Sequence, residues 1–76
     1  MKEINNIIQQ LLDEWPYPYV LRIHSKKATG GAFDWKTLRL EDHRGKGPKE
    51  KFKIGHKVGY SKESFYEWFK GKIKNA

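Results

Sequence analysis

Three groups of residues carry the chemistry that this sequence can offer. Trp35, Lys36 and Arg39 sit at helical spacing, so two cationic donors and an indole share one helix face. Arg44, Lys46, Lys49, Lys51, Lys53, Lys57 and Lys62 crowd one short stretch against Glu50 alone, with His56 among them. Glu41, Asp42 and His43 are consecutive titratable groups. Acid-base catalysis needs paired groups converging in a cleft, and three adjacent helical residues cannot all face one side. No enzyme is therefore expected from them. Thr29, Gly30 and Gly31 lack the lysine-serine continuation of a nucleotide-binding loop. The chain has no cysteine, and His24, His43 and His56 are isolated in sequence, so no metal, cofactor or small-molecule substrate is expected.

The basic groups are what remain. The net charge is +7, from 16 basic and 9 acidic residues, and most of the excess lies between Arg44 and Lys62. Two readings share that observation: a solvated lysine-rich face, or a surface for a polyanion such as nucleic acid. A membrane surface fits less well. An interfacial helix joins a basic face to its own apolar stripe, whereas the strongest apolar stripe here belongs to the acidic N-terminal segment. RNA would need exposed rings among Trp35, Phe52 and Tyr60, of which the last two are expected to be buried.

The elements that position these groups follow from spacing. Ile4, Ile7, Ile8, Leu11, Leu12 and Trp15 predict an amphipathic helix over residues 1–15, stopped by Pro16 and Pro18. Its stripe packs on the domain's own core or docks a partner. Tyr17, Tyr19, Val20, Leu21 and Ile23 favour a short extended segment. Ser25 is expected to cap a brief helical turn that Gly30 and Gly31 end, and Asp34 to cap a second helix that Gly45, Gly47 and Pro48 close. Together, residues 25–47 have the proportions of a helix-turn-helix. Over residues 51–60, Phe52, Ile54, Val58 and Tyr60 alternate with lysines around Gly55 and His56, predicting a hairpin with one apolar and one basic face. Ser61 then caps a closing helix over 61–73, whose Phe65, Trp68 and Phe69 form an aromatic core stripe.

Seventy-six residues make one small α+β domain, which buries only about 60% of its unfolded surface. No run approaches the roughly 18 apolar residues of a membrane span, and the N-terminus lacks the basic-then-apolar order of a leader, so a cytoplasmic protein is expected.

From Ala28 to Phe69 the chain resembles the small winged helix-turn-helix proteins of the excisionase, AlpA and MerR-like superfamily of phages and mobile elements. The likeness rests on Asp34 to Leu38 at the start of a recognition helix and on the corner Arg44-Gly45-Lys46-Gly47-Pro48. It continues in the wing Lys53 to Val58, then in Tyr60 to Glu63 and Trp68. It implies a two-stranded wing and a recognition helix in the major groove of double-stranded DNA. Trp35, Lys36 and Arg39 would then meet bases and phosphates, and Arg44, Lys46, Lys53, His56 and Lys57 would lie at the corner and wing. The implied function is that of a DNA-binding accessory factor, an excisionase or small transcriptional regulator.

Two departures favour protein contact. Leu40, Glu41, Asp42 and His43 stand where the family commonly places an aromatic or basic residue. The N-terminal helix is an addition to the family's minimal unit. The alternative is an adaptor for a recombinase or replication enzyme of the same element, using Ile4, Ile7, Ile8, Leu11, Glu41 and Asp42.

Overall fold

A computed structural model describes residues 2–74 and 76. Helix α1, Lys2–Glu14, forms where the apolar stripe predicts it. One further helical bond, from the Trp15 N–H to the Leu11 carbonyl at 3.0 Å, precedes Pro16. Ile8 and Trp15 enter the core, with Leu11 and Leu12 packed against it, so the stripe is largely spent on the molecule itself. Of the four residues expected to dock a partner, Ile8 is buried, Ile4 and Leu11 are half-buried, and Ile7 alone is exposed. The Trp15 indole N–H donates to the Tyr19 carbonyl at 2.9 Å, which fastens the end of α1 to the first strand.

Strand β1, Tyr19–Leu21, runs into a single 3-10 turn, Arg22–His24, and then the short helix α2, Ser25–Ala28. Ser25 does not cap α2. Its side chain is fully buried and its hydroxyl donates to the Arg22 carbonyl at 2.7 Å, because the chain is already turning at Arg22. Thr29 secures the following turn: its hydroxyl donates to the Ser25 carbonyl at 2.8 Å and accepts from the Phe33 N–H at 3.0 Å. Gly30 and Gly31 adopt φ values of +64° and +94° there, a region costly for any residue with a Cβ. Helix α3, Trp35–His43, begins as expected, with the Asp34 carboxylate accepting from the Lys36 and Thr37 amides at 3.1 and 3.2 Å.

Strands β2, Lys51–Ile54, and β3, Lys57–Ser61, form the expected hairpin, but the sheet has three strands. Strand β1 pairs antiparallel with β3 on the side away from β2, giving the order β1-β3-β2. The expected segregation of apolar and basic hairpin faces does not occur. A two-residue turn sets Ile54 opposite Lys57, Lys53 opposite Val58, and Lys51 opposite Tyr60. Facing residues share a side of the sheet, so the even-numbered apolar residues of β2 lie opposite in sense to those of β3. Val20, Val58 and Tyr60 share the inner face with Lys51 and Lys53; Leu21, Phe52, Ile54, Lys57 and Gly59 share the outer face. Phe52, expected inside, is 38% exposed, while Tyr60 is fully buried. The Phe52 ring lies over Gly59, so closely that a Cβ there would come within 2.9 Å of it.

Helix α4, Lys62–Lys70, starts where the Ser61 hydroxyl accepts from the Ser64 amide at 3.2 Å. Its Phe65, Tyr66 and Phe69 occupy the centre, with Phe33 edge-on to Trp68 and to Phe69. The Tyr66 hydroxyl donates to the Ala28 carbonyl at 3.0 Å, and burial pushes this phenol up to about 12. Among the described residues the protein is thus a small α+β fold of four α-helices and one three-stranded antiparallel sheet.

Candidate nucleic-acid interface

The start of α3 decides which side chains face solvent. With Asp34 fixed as cap, the 3.6-residue period turns Leu38 and Glu41 inward, and both are buried. Trp35, Lys36, Arg39, Leu40 and His43 form the outward stripe, with Trp35 42% and Leu40 47% exposed. The Lys36 ammonium lies 5.8 Å from the Trp35 ring centroid, within range of a cation–π attraction that holds both side chains over the first turn.

This stripe lines a shallow groove of about 770 Å³, completed by Arg22, Asp42 and Lys51. Lys51 reaches it because register puts β2's lysines on the inner face of the sheet, toward Tyr60. A smaller cleft beside it is lined by Arg22, Lys51, Phe52, Lys53 and Val58. The cationic surface therefore runs from the first turn of α3, across Arg22, to the edge strand.

Arg22 is held by a part-buried polar triad. Its Nε donates to the Tyr60 hydroxyl oxygen at 2.9 Å and its guanidinium meets Asp42 Oδ2 at 2.5 Å, while the Tyr60 hydroxyl donates to the same oxygen at 2.6 Å. These bonds join the 3-10 turn, α3 and β3. Desolvation disfavours the Arg22 charge, but the bonds to Tyr60 and Asp42 outweigh it and raise the pKa above the ordinary arginine value. Burial and the bond to Asp42 push the Tyr60 phenol far above its ordinary range, so it remains a donor.

The acidic pair of α3 is engaged within the molecule. Asp42 is committed to Arg22 and Tyr60, and Glu41 forms an ion pair with Lys72, beyond the end of α4. The hydrogen-bonded Lys72 ammonium holds the Glu41 carboxyl below the usual carboxylate range, against the opposing effect of burial. Lys72 also lies 5.7 Å from the Trp68 ring centroid. Both carboxylates are thereby paired with cations, Glu41 in the interior and Asp42 at the groove wall.

The residues expected at the DNA surface divide into three sets. Trp35, Lys36 and Arg39 come together in the groove, and Lys53 borders it. His56 and Lys57 are exposed at the hairpin turn, where Gly55 has φ +63°. Arg44 and Lys46 are not brought to the groove. Gly45, at φ +73°, ends α3, and Gly47 lies against Asp42 so closely that no Cβ fits. That corner directs Lys46 into a separate concavity with Lys49, Glu63, Glu67 and Lys72, where the charge is mixed.

Arg22, Leu40, His43 and Lys51 belong to the groove without having been expected there. No local signal marks Arg22, whose partners lie 20 and 38 positions away. Lys51 was readable in principle from the parity of a two-residue turn.

Among the described residues, no group of three or more His, Asp or Glu side chains is placed to hold a metal ion. No helix of the described residues is long and apolar enough to cross a membrane. Compared with protein-family models, curated proteins and solved structures, the chain matches none.

Proposed function

We propose that this protein is a duplex-DNA-binding accessory factor of the winged helix-turn-helix type, acting as an excisionase-like factor or small regulator of a mobile element. The observation that carries the reading is the groove itself. One outward stripe of α3 brings Trp35, Lys36, Arg39 and His43 beside Arg22 and Lys51, while Glu41 is buried and paired with Lys72 and Asp42, at the groove wall, is paired with Arg22. The order of α2, a glycine turn, α3 and then the β2–β3 hairpin fits a helix-turn-helix followed by a wing, with β1 as a third strand.

In this reading α3 enters the major groove. Lys36 and Arg39 donate to base edges and nearby phosphates, Trp35 supplies apolar contact, and Arg22, Lys51 and Lys53 meet the backbone alongside. Binding rather than catalysis suits the site, since Asp42 is engaged by Arg22 and Tyr60 and offers no free base. The adaptor reading loses the two carboxylates on which it drew, and most of the α1 stripe is spent on the core.

A gel-shift series on a short mixed-sequence duplex tests the assignment. Replacing Lys36→Ala together with Arg39→Ala weakens binding by about tenfold or more, the loss expected for two donors at the groove. Equal binding by the variant and the unmodified chain removes α3 from the interface.

A further inference from the structure

Leu40 lines the groove without serving the core. It is 47% exposed, and neither it nor Trp35 belongs to the core cluster or to the hydrophobic side chains packed against that cluster. The helical period sets Leu40 one turn beyond Lys36 and one turn before His43, in the middle of the outward stripe of α3. A single exposed leucine on a protein surface needs no explanation. Leu40 differs in its place: it stands among the cations of the groove, next to Arg39.

The charge there has one sign to spare. Four lining side chains, Arg22, Lys36, Arg39 and Lys51, are cations, and the one lining carboxylate, Asp42, is paired with Arg22. Asp34 lies outside the lining, its carboxylate accepting from the first-turn amides of α3. An anionic ligand is therefore favoured, and Leu40 narrows which one. A leucine side chain offers no donor, so phosphates or carboxylates set against it lose water without gaining a partner. The major groove of duplex DNA supplies both chemistries. Phosphates run along its edges, and on its floor the C5-methyl of thymine is the one apolar group among base-edge donors and acceptors.

We propose, resting on the duplex reading of the groove, that Leu40 is a specificity-determining residue that covers the C5-methyl of a thymine. Cytosine at the same position presents an amino donor and no methyl, and a purine presents its N7 acceptor; leucine satisfies neither. The Trp35 ring suits this role less, because the Lys36 ammonium already lies 5.8 Å from its centroid.

Competition gel shifts with the full chain test the assignment on two duplexes of one A·T-rich mixed sequence, one carrying thymine and the other deoxyuridine at every such position. The pair differs only in C5-methyl groups. The unmodified chain is expected to bind the thymine duplex about fourfold tighter, the fold-change for covering one methyl-sized group. Leu40→Ala, at an exposed position where alanine keeps the helix, is expected to bind both duplexes equally. Ile7→Ala removes a similarly exposed apolar side chain from α1 and is expected to keep the full preference. Circular dichroism verifies that both variants fold. Equal binding of the two duplexes by the unmodified chain overturns the inference and leaves the duplex reading standing. A preference that persists in Leu40→Ala, or one that is lost in Ile7→Ala as well, overturns the role of Leu40. Binding to neither duplex fails the duplex reading itself, and the inference with it.

Discussion

At the scale of single residues, the Arg22–Asp42–Tyr60 triad is where stability and the groove meet. Asp42 is the acceptor that both partners share, with its side chain 7% exposed against 18% for Arg22. Removing a partner from such a pair leaves a desolvated charge, which costs more than the pair itself contributes. Asp42→Ala should therefore destabilise the fold by about 3 kcal/mol. Tyr60→Phe, which keeps the Arg22–Asp42 contact, should cost about 1–2 kcal/mol. Urea unfolding at unchanged m-value checks both, and equal losses would mean that the charged contact adds nothing beyond the phenol bond. From the sequence, Asp42 is expected only as a partner contact of the adaptor alternative, because its partners come from the 3-10 turn and β3, and no local pattern announces contacts of that range.

Among the elements, α3 is held at both ends by different means. Its start is local: Asp34 caps its own first turn, so the beginning of the helix was legible in the chain. Its last turn is tertiary, tied through Glu41 to Lys72 beyond α4. The Glu41 carboxyl is lowered by the Lys72 ammonium, so the folded state binds a proton less readily than the unfolded chain. That stabilisation is fully present above the ordinary value of 4.5 and is lost as pH falls through the lower folded value. In thermal melts, Glu41→Gln should melt below the unmodified protein at neutral pH, and the gap should close on acidification below the ordinary carboxylate value of 4.5. A gap that stays constant across that range would show that the ion pair does not tie the two elements. The hairpin was equally legible as an element, with Gly55 at its turn, yet its faces were not. Alternation along each strand is a local property, whereas agreement between two strands depends on the parity of their register.

For the whole molecule, charge is distributed by the fold rather than by the chain. The stretch from Arg44 to Lys62 reads as one basic run, but the fold divides it. Lys51 goes toward α3, Lys53 to the cleft beside Arg22, Lys57 to the outer face and hairpin turn, and Lys46 to a mixed-charge concavity. Lys36, Arg39, Lys51 and Lys53 are the uncompensated cations of the proposed duplex surface, Arg22 being paired with Asp42, so about four phosphates would be neutralised there. The logarithm of duplex affinity should then fall with the logarithm of salt with a slope of about −3 to −4. A titration at several salt concentrations measures it, and a slope near zero would contradict a backbone-tracking interface.

Capped helices, glycine stops and the apolar stripe of α1 rest on interactions within a few residues, and the sequence alone determined them. The three-stranded sheet, the ion-paired carboxylates, the place of Arg22 and the exposed outer face depend on pairings between distant segments. Pairing β1 with β3, and setting β2 by a two-residue turn, chose which side of every strand met the core. A one-residue change of register exchanges the two faces of a strand without altering its alternation, which is why only the tertiary structure decided them.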